Sequence, residues 1–233
     1  MTNKEMGRLA KDVTKKWKDH APQFWWGNRL DSRYYMVSRL RSMRNKRILD
    51  IGCNVGIMLS ELDRSNLKVG IDLSQKALDI ARELIPEASL SLADMYNLPY
   101  PDDFFDVVIF CGMLEVPPWE LKGKALKEAH RVLRSEGVFL LTTPNRNYWA
   151  YRNNKNMINY EELKELLEPP FNFTIKGINP FPPFPLFLPN RILARIPGIW
   201  GLILFAMEHE CLFHHCHSFY VEATKKQNIR TKE

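Results

Sequence analysis

Residues 47–59 read RILDIGCNVGIML. An apolar run enters an aspartate, passes two glycines and an asparagine, and turns apolar again. A short β-branched strand feeding a glycine-bearing turn and a helix is the opening unit of an α/β sheet, whose ligands bind at the carboxyl ends of the strands. A dinucleotide loop requires G-x-G-x-x-G, with a helix N-terminus facing the pyrophosphate. Here Gly52 and Gly56 stand four apart, no glycine follows at the helix start, and Asp50 occupies the strand tip. A carboxylate there repels a pyrophosphate and suits a ligand with cationic groups. The middle of the turn is Asn54, which tolerates positive φ better than other non-glycine residues.

The alternation continues outward. LKVGID (67–72), ASLSLAD (88–94), FFDVVIFC (104–111) and VFLLTTPN (138–145) read as strands, and FTIKGI (173–178) and SFYVEAT (218–224) as two closing strands. Helices are expected over 55–64, over 119–134 ended by SEG, and over 160–168. Another starts at an N-cap Ser74 and repeats Ala77, Leu78, Ala81, Leu84 and Ile85 on one face. This is the pattern of a doubly wound α/β sheet. Three successive strands end in aspartate: Asp50, Asp72 and Asp94. Asp72 lies 22 residues after Asp50, where a ribose diol is commonly gripped. A ligand with a cationic head, a ribose and a base would engage all three.

The stretches ILDIGCNVG, VGIDLS, LADMYNLPYPDDFFDVVIF and EAHRVLRSEGVFLLTTPN resemble, in order and spacing, the class I S-adenosylmethionine-dependent methyltransferases. The similarity is to the branch that methylates small molecules, quinones and lipids. It implies a Rossmann-like, mostly parallel seven-stranded sheet with an antiparallel last strand, and S-adenosylmethionine as cofactor. It further implies that Asp50 meets the methionine amino group and that Gly52, Cys53, Asn54 and Gly56 let the cofactor approach backbone. Asp72 would accept from the ribose hydroxyls beside Leu73, Asp94 and Met95 would face the adenine, and Phe110 and Cys111 would flank the methionine moiety and sulfonium. RSEG stands where the family commonly has KPGG, and GMLEVPPWE where it often has a histidine. Glu115 is therefore a candidate near the acceptor, with helix-cap and surface readings beside it.

Composition bounds the rest. With 233 residues, 45% apolar and 26% charged, the chain reads as a globular domain with an elaboration. Four cysteines, at 53, 111, 211 and 216, are too few for a disulfide framework. The opening carries no signal-like segment, and a cytoplasmic setting is expected. Residues 1–47 hold thirteen Lys and Arg against four Asp and Glu, so this stretch carries +9 and the remainder −3. An arm of this kind fits an anionic partner, whether membrane surface, nucleic acid or phosphorylated substrate, or else a solvated helical face. The expected organisation is a basic helical arm (1–46), the α/β core (47–178), an apolar insertion (179–211), a closing strand (212–224) and a polar tail (225–233).

The common core does not name the methyl acceptor. The insertion holds six of the fifteen prolines and, before Glu208, only two charged residues, Arg191 and Arg195. It reads as a lid over a hydrophobic acceptor, an interfacial element reaching a lipid or lipid-linked sugar at the membrane, a compact helical subdomain, or a dimer contact. Four of six histidines and two cysteines crowd 209–217. His209, Cys211, His214 and Cys216 are candidate metal ligands, although no C-x-x-C pair is present and the expectation is no metal. His214 and His217 are alternative candidates for a base, with packing as the default. An RNA methyltransferase using the basic arm, or a non-catalytic cofactor-binding scaffold, are the competing functions.

Overall fold

A computed structural model describes residues 32–148, 151–178 and 216–226. The arm before residue 32, the insertion 179–211, the closing-strand residues before 216 and the tail after 226 lie outside them. The element order is α1 (Ser32–Arg41), β1 (Arg47–Ile51), α2 (Ile57–Ser60), β2 (Leu67–Asp72), α3 (Gln75–Leu84), β3 (Ser89–Leu92), β4 (Phe105–Cys111), α4 (Trp119–Val132), β5 (Leu133–Pro144), α5 (Tyr160–Leu167), β6 (Phe171–Ile178) and β7 (Ser218–Lys225). The strands form one seven-stranded sheet in the order β3-β2-β1-β4-β5-β7-β6. β1 pairs in parallel with both β2 and β4, while β7 runs antiparallel between β5 and β6. The winding reverses between β1 and β4, which opens the binding crevice at their carboxyl ends.

Alternation along the strands builds two cores. Val107 and Ile109 of β4 pack on one face with Met36 and Leu40 of α1, Leu59 of α2 and Leu78 of α3. Val108 and Phe110 turn to the other face, against Leu121 and Ala125 of α4 and Leu163 of α5. The expected arm thus ends as part of the body: α1 buries Met36 and Leu40 on the sheet, and Arg39 pairs with Glu222 of β7 at 3.0 Å.

Local chemistry sets the helix ends. Ser74 accepts the amide of Ala77 and starts α3. Asn159 and Glu162 form a reciprocal capping box on α5. Three expectations fail. The helix over 55–64 shrinks to α2, because Asp63 takes the Ser65 amide and Asn66 reaches back to the Met43 carbonyl, both competing with helical bonding. Leu84 is exposed, since Ile85 leaves the helix and occupies the core in its place. The SEG turn is absorbed into β5, with Glu136 at φ 61° and a register break opposite Phe105 and Val107.

Candidate active site

The loop after β1 is built on three left-handed residues: Gly52 (φ 75°), Asn54 (φ 50°) and Gly56 (φ 80°). Asn54 adopts the conformation a glycine would supply. The Gly52 and Cys53 amides both donate to the Ile71 carbonyl, at 2.8 and 2.9 Å. The Asn54 amide donates to Asp72 Oδ2 at 2.9 Å, and the Gly56 amide to the Cys53 carbonyl at 2.8 Å. These four N–H groups are consumed within the protein, so the loop is not an amide cradle for phosphate. A Cβ at Gly52 would collide with the Met113 side chain at Sδ. The absence of one lets the loop after β4 lie directly on the glycine turn.

Asp50 is buried at the tip of β1, and its carboxylate receives no hydrogen bond from the described residues. Burial, aided by the charge of Asp72, pushes its pKa up to about 7. Asp72 is pinned instead: Oδ2 takes the Asn54 amide and Oδ1 the Ser74 amide, at 2.9 and 2.8 Å. Burial and both aspartates push the Cys53 thiol up, which makes it a packing group and not a nucleophile.

A cavity of about 640 Å³ opens over these groups. Asp50, Gly52, Cys53, Asn54, Asp72, Leu73, Met95 and Cys111 line it. Three expected residues do not. Phe110 is fully buried among the α4 and α5 side chains, 6.0 Å from the Phe139 ring, because strand alternation sends it to that face while Cys111 ends at the opening. Asp94 turns back on its own backbone, accepting the Tyr96 amide at 3.0 Å, and leaves Ala93 and Met95 at the wall. Gly56 sits behind the wall as the N-cap of α2. No Lys or Arg lines the cavity among the described residues, whereas Asp50, Asp72 and Glu115 do.

The far end of the cavity is polar, formed by Glu115, Thr143, Tyr151, Asn154, Asn156, His217 and Ser218. Of these, only Glu115 and His217 stood out in the sequence. Thr143 carried a usable signal, because TTPN ends a strand on the ligand side of the sheet. Glu115 Oε2 and Thr143 Oγ1 are both buried without a hydrogen-bond partner. Burial raises the Glu115 pKa to about 7, partly offset by its own backbone amide, the Lys122 charge and the nearby Thr143 hydroxyl, which stops short of a hydrogen bond. Lys122 is itself buried, and its ammonium donates to the carbonyls of Leu114, Pro117 and Asn156. Tyr151 Oη and His217 Nε2 lie 2.9 Å apart.

Of the metal candidates, His209, Cys211 and His214 lie outside the described residues. Cys216 is buried, accepts from Asn145 Nδ2 at 3.6 Å, and has its thiol pushed up to about 12 by burial, which disfavours a metal thiolate. No group of three ligand-type residues occurs among the described residues. No described helix is long and apolar enough to cross a membrane.

The family model "Methyltransferase domain" matches residues 49–141. A ubiquinone biosynthesis O-methyltransferase of Actinobacillus pleuropneumoniae is 30% identical over 129 residues, 50% of this chain and 53% of that protein. The chain spans about half the length, or less, of curated relatives that it matches at 30% identity. Among solved structures, a SAM-dependent methyltransferase of Thermotoga maritima superposes with a TM-score of 0.56 at 18% identity, over 84% of this chain and 91% of that one. The [4+2]-cyclase SpnF superposes with a TM-score of 0.60 at 20% identity, over 95% of this chain and 94% of that one. Both structural likenesses speak for the fold. The matched segment, the sheet order and the strand-tip acids agree with one another: residues 49–141 match a methyltransferase domain, on the fold of the class I S-adenosylmethionine-dependent methyltransferases.

Proposed function

We propose that the protein transfers a methyl group from S-adenosylmethionine to a small-molecule acceptor. The observation that carries this is Asp50, a buried carboxylate without a hydrogen bond, facing a cavity lined by acids and by no Lys or Arg among the described residues. An ammonium group is the partner such a carboxylate lacks. Asp50 would hold the amino group of the cofactor, Asp72 its ribose hydroxyls through the lone pairs left by the Asn54 and Ser74 amides, and Leu73 and Met95 its base. When bound, the cofactor supplies a methyl group already activated on a sulfonium. The residues around it need only align an acceptor and exclude water.

The ubiquinone biosynthesis relative supports an acceptor with an aromatic or lipid-like body. The apolar composition of 179–211 and the charge of the arm support delivery from an anionic membrane surface, with the protein cytoplasmic and peripheral. The cavity's acidity argues against RNA as the acceptor. Because the fold also serves a cyclase, binding and transfer are measured separately. Calorimetric titration with S-adenosylmethionine and S-adenosylhomocysteine should give micromolar affinity, and the absence of binding by either overturns the reading. Flotation with vesicles containing phosphatidylserine should carry the protein, and no flotation removes the membrane from the proposal.

A further inference from the structure

Among the described residues four buried side-chain polar atoms lack a hydrogen-bond partner: Tyr96 Oη, Glu115 Oε2, Arg134 Nε and Thr143 Oγ1. Two of the four, Glu115 and Thr143, line the same cavity and lie beside one another. Unpaired buried polar atoms are costly and uncommon, and a pair facing one space points to a ligand group that completes both. Their placement is rigid. Glu115 lies in the loop 112–116, where Met113 packs on Gly52 and Lys122 holds the carbonyls of Leu114 and Pro117. Glu115 Oε1 folds against Gly112, where an added Cβ would meet it at 3.3 Å, and Oε2 is left over. Thr143 reaches the same space from β5, with 1% of its surface exposed.

We propose that Glu115 and Thr143 form the acceptor subsite, that the group they hold is a hydroxyl, and that Glu115 is its general base. This rests on the methyl-transfer reading above. The assignment follows from the need for a base. A hydroxyl donates its proton to Glu115 Oε2, accepts from the Thr143 hydroxyl with one lone pair, and keeps a second lone pair for attack. A neutral amine attacks through its free lone pair without first losing a proton, so a buried carboxylate base beside it has no task in the transfer step, whereas a hydroxyl that stays protonated requires one. A carbon acceptor offers neither bond. As the acceptor oxygen takes the methyl group, its proton passes to the Glu115 carboxylate, and the electron pair of the broken carbon–sulfur bond stays on sulfur, giving the neutral thioether. Glu115 then yields the proton to water. The base is flanked by Lys122 of α4 and Thr143 of β5, and Asp50, Cys53, Asp72, Cys111, Tyr151 and His217 are the other titratable groups on the cavity wall among the described residues.

Phenol and aniline, matched in shape, test this in the full-length protein. Titrated into the protein saturated with S-adenosylhomocysteine, phenol should bind at least tenfold tighter than aniline, and Thr143→Val should erase that preference. With S-adenosylmethionine, methylation should be confined to phenol. Glu115→Gln should lower kcat on the order of 100-fold with KM within threefold, and abolish the acid limb of the rate profile near pH 7. S-adenosylhomocysteine affinity should stay within twofold in both variants, which also shows that they fold. Equal binding of aniline, no binding of phenol, or an unchanged rate in Glu115→Gln overturns the subsite. Failure of the wild-type protein to bind S-adenosylhomocysteine overturns the methyl-transfer reading instead.

Discussion

Asp72 Oδ2 accepts the amide of Asn54 at 2.9 Å, tying the turn after β1 to the tip of β2 across eighteen residues. The carboxylate therefore serves two ends, shaping the loop through Asn54 and Ser74 and offering its remaining lone pairs to a ligand. Asp72→Ala should remove both. S-adenosylhomocysteine affinity should fall at least 100-fold in calorimetry. Hydrogen bonds to a charged acceptor contribute about 1.5–3 kcal/mol, so the melting temperature should fall by roughly 5 °C while the protein stays folded. Unchanged affinity would remove Asp72 from the site.

Asn54 stands where the turn demands a left-handed backbone. Asn54→Gly should be neutral within a few tenths of a kcal/mol. Asn54→Val, β-branched and at φ 50°, should destabilise by about 2 kcal/mol and weaken cofactor binding. Urea midpoints for the two variants check this, and equal stability would contradict the strain.

The raised pKa of Asp50 has a definite sign. Its folded pKa of about 7 exceeds the ordinary 3.8, so the folded state binds the extra proton between these values. The stabilisation from a protonated Asp50 is complete below about pH 4 and is lost as pH rises through 7. Asp50→Asn, permanently neutral, should therefore raise the melting temperature of the cofactor-free protein at pH 8 and leave it nearly unchanged at pH 4. A stabilisation that did not grow with pH would refute the burial argument.

Binding inverts that preference. A cationic amino group selects the ionised Asp50, so S-adenosylhomocysteine affinity should weaken as pH falls below 7, by up to about tenfold per unit. Binding at pH 6 should release a proton, visible as a difference in calorimetric enthalpy between buffers of unlike ionisation heat. No proton release would place the amino group elsewhere.

Lys122 is a fully buried charge, its pKa lowered to about 8 mainly by burial. Lys122→Met fills the volume but strands the carbonyls of Leu114, Pro117 and Asn156. A loss of about 3–5 kcal/mol is expected in denaturant unfolding, with acceptor turnover impaired more than cofactor affinity. A variant as stable as wild type would show the three bonds to be dispensable.

Much of the cofactor side was legible because it rests on local signals. Strand periodicity placed the tips of β1 and β2, and an aspartate at a tip has few structural explanations. Phe110 shows the limit: sequence places it at the end of a strand, but only the register of β4 between two cores tells which face receives the ring. Asp94 was indistinguishable in sequence from Asp50 and Asp72, yet a local turn claims its carboxylate. The polar end of the cavity was mostly hidden because it gathers the loop after β4, the tip of β5, residues 151–156 and the start of β7. Thr143 and Tyr151 acquire meaning only through those long-range neighbours.

The position of β7 bears on synthesis. Among the described residues β6 pairs only with β7, and β7 separates it from β5. As the chain leaves the ribosome, β1 to β5 can assemble in order, while β6 must wait as an unpaired strand until residues beyond 217 emerge. The nascent sheet then carries an open hydrogen-bonding edge on β5, a liability for aggregation that ends when the strand slots in. His217, directly before β7, arrives in the same step. The part of the cavity bearing Asp50 and Asp72 can therefore form before the part closed by His217 and Ser218.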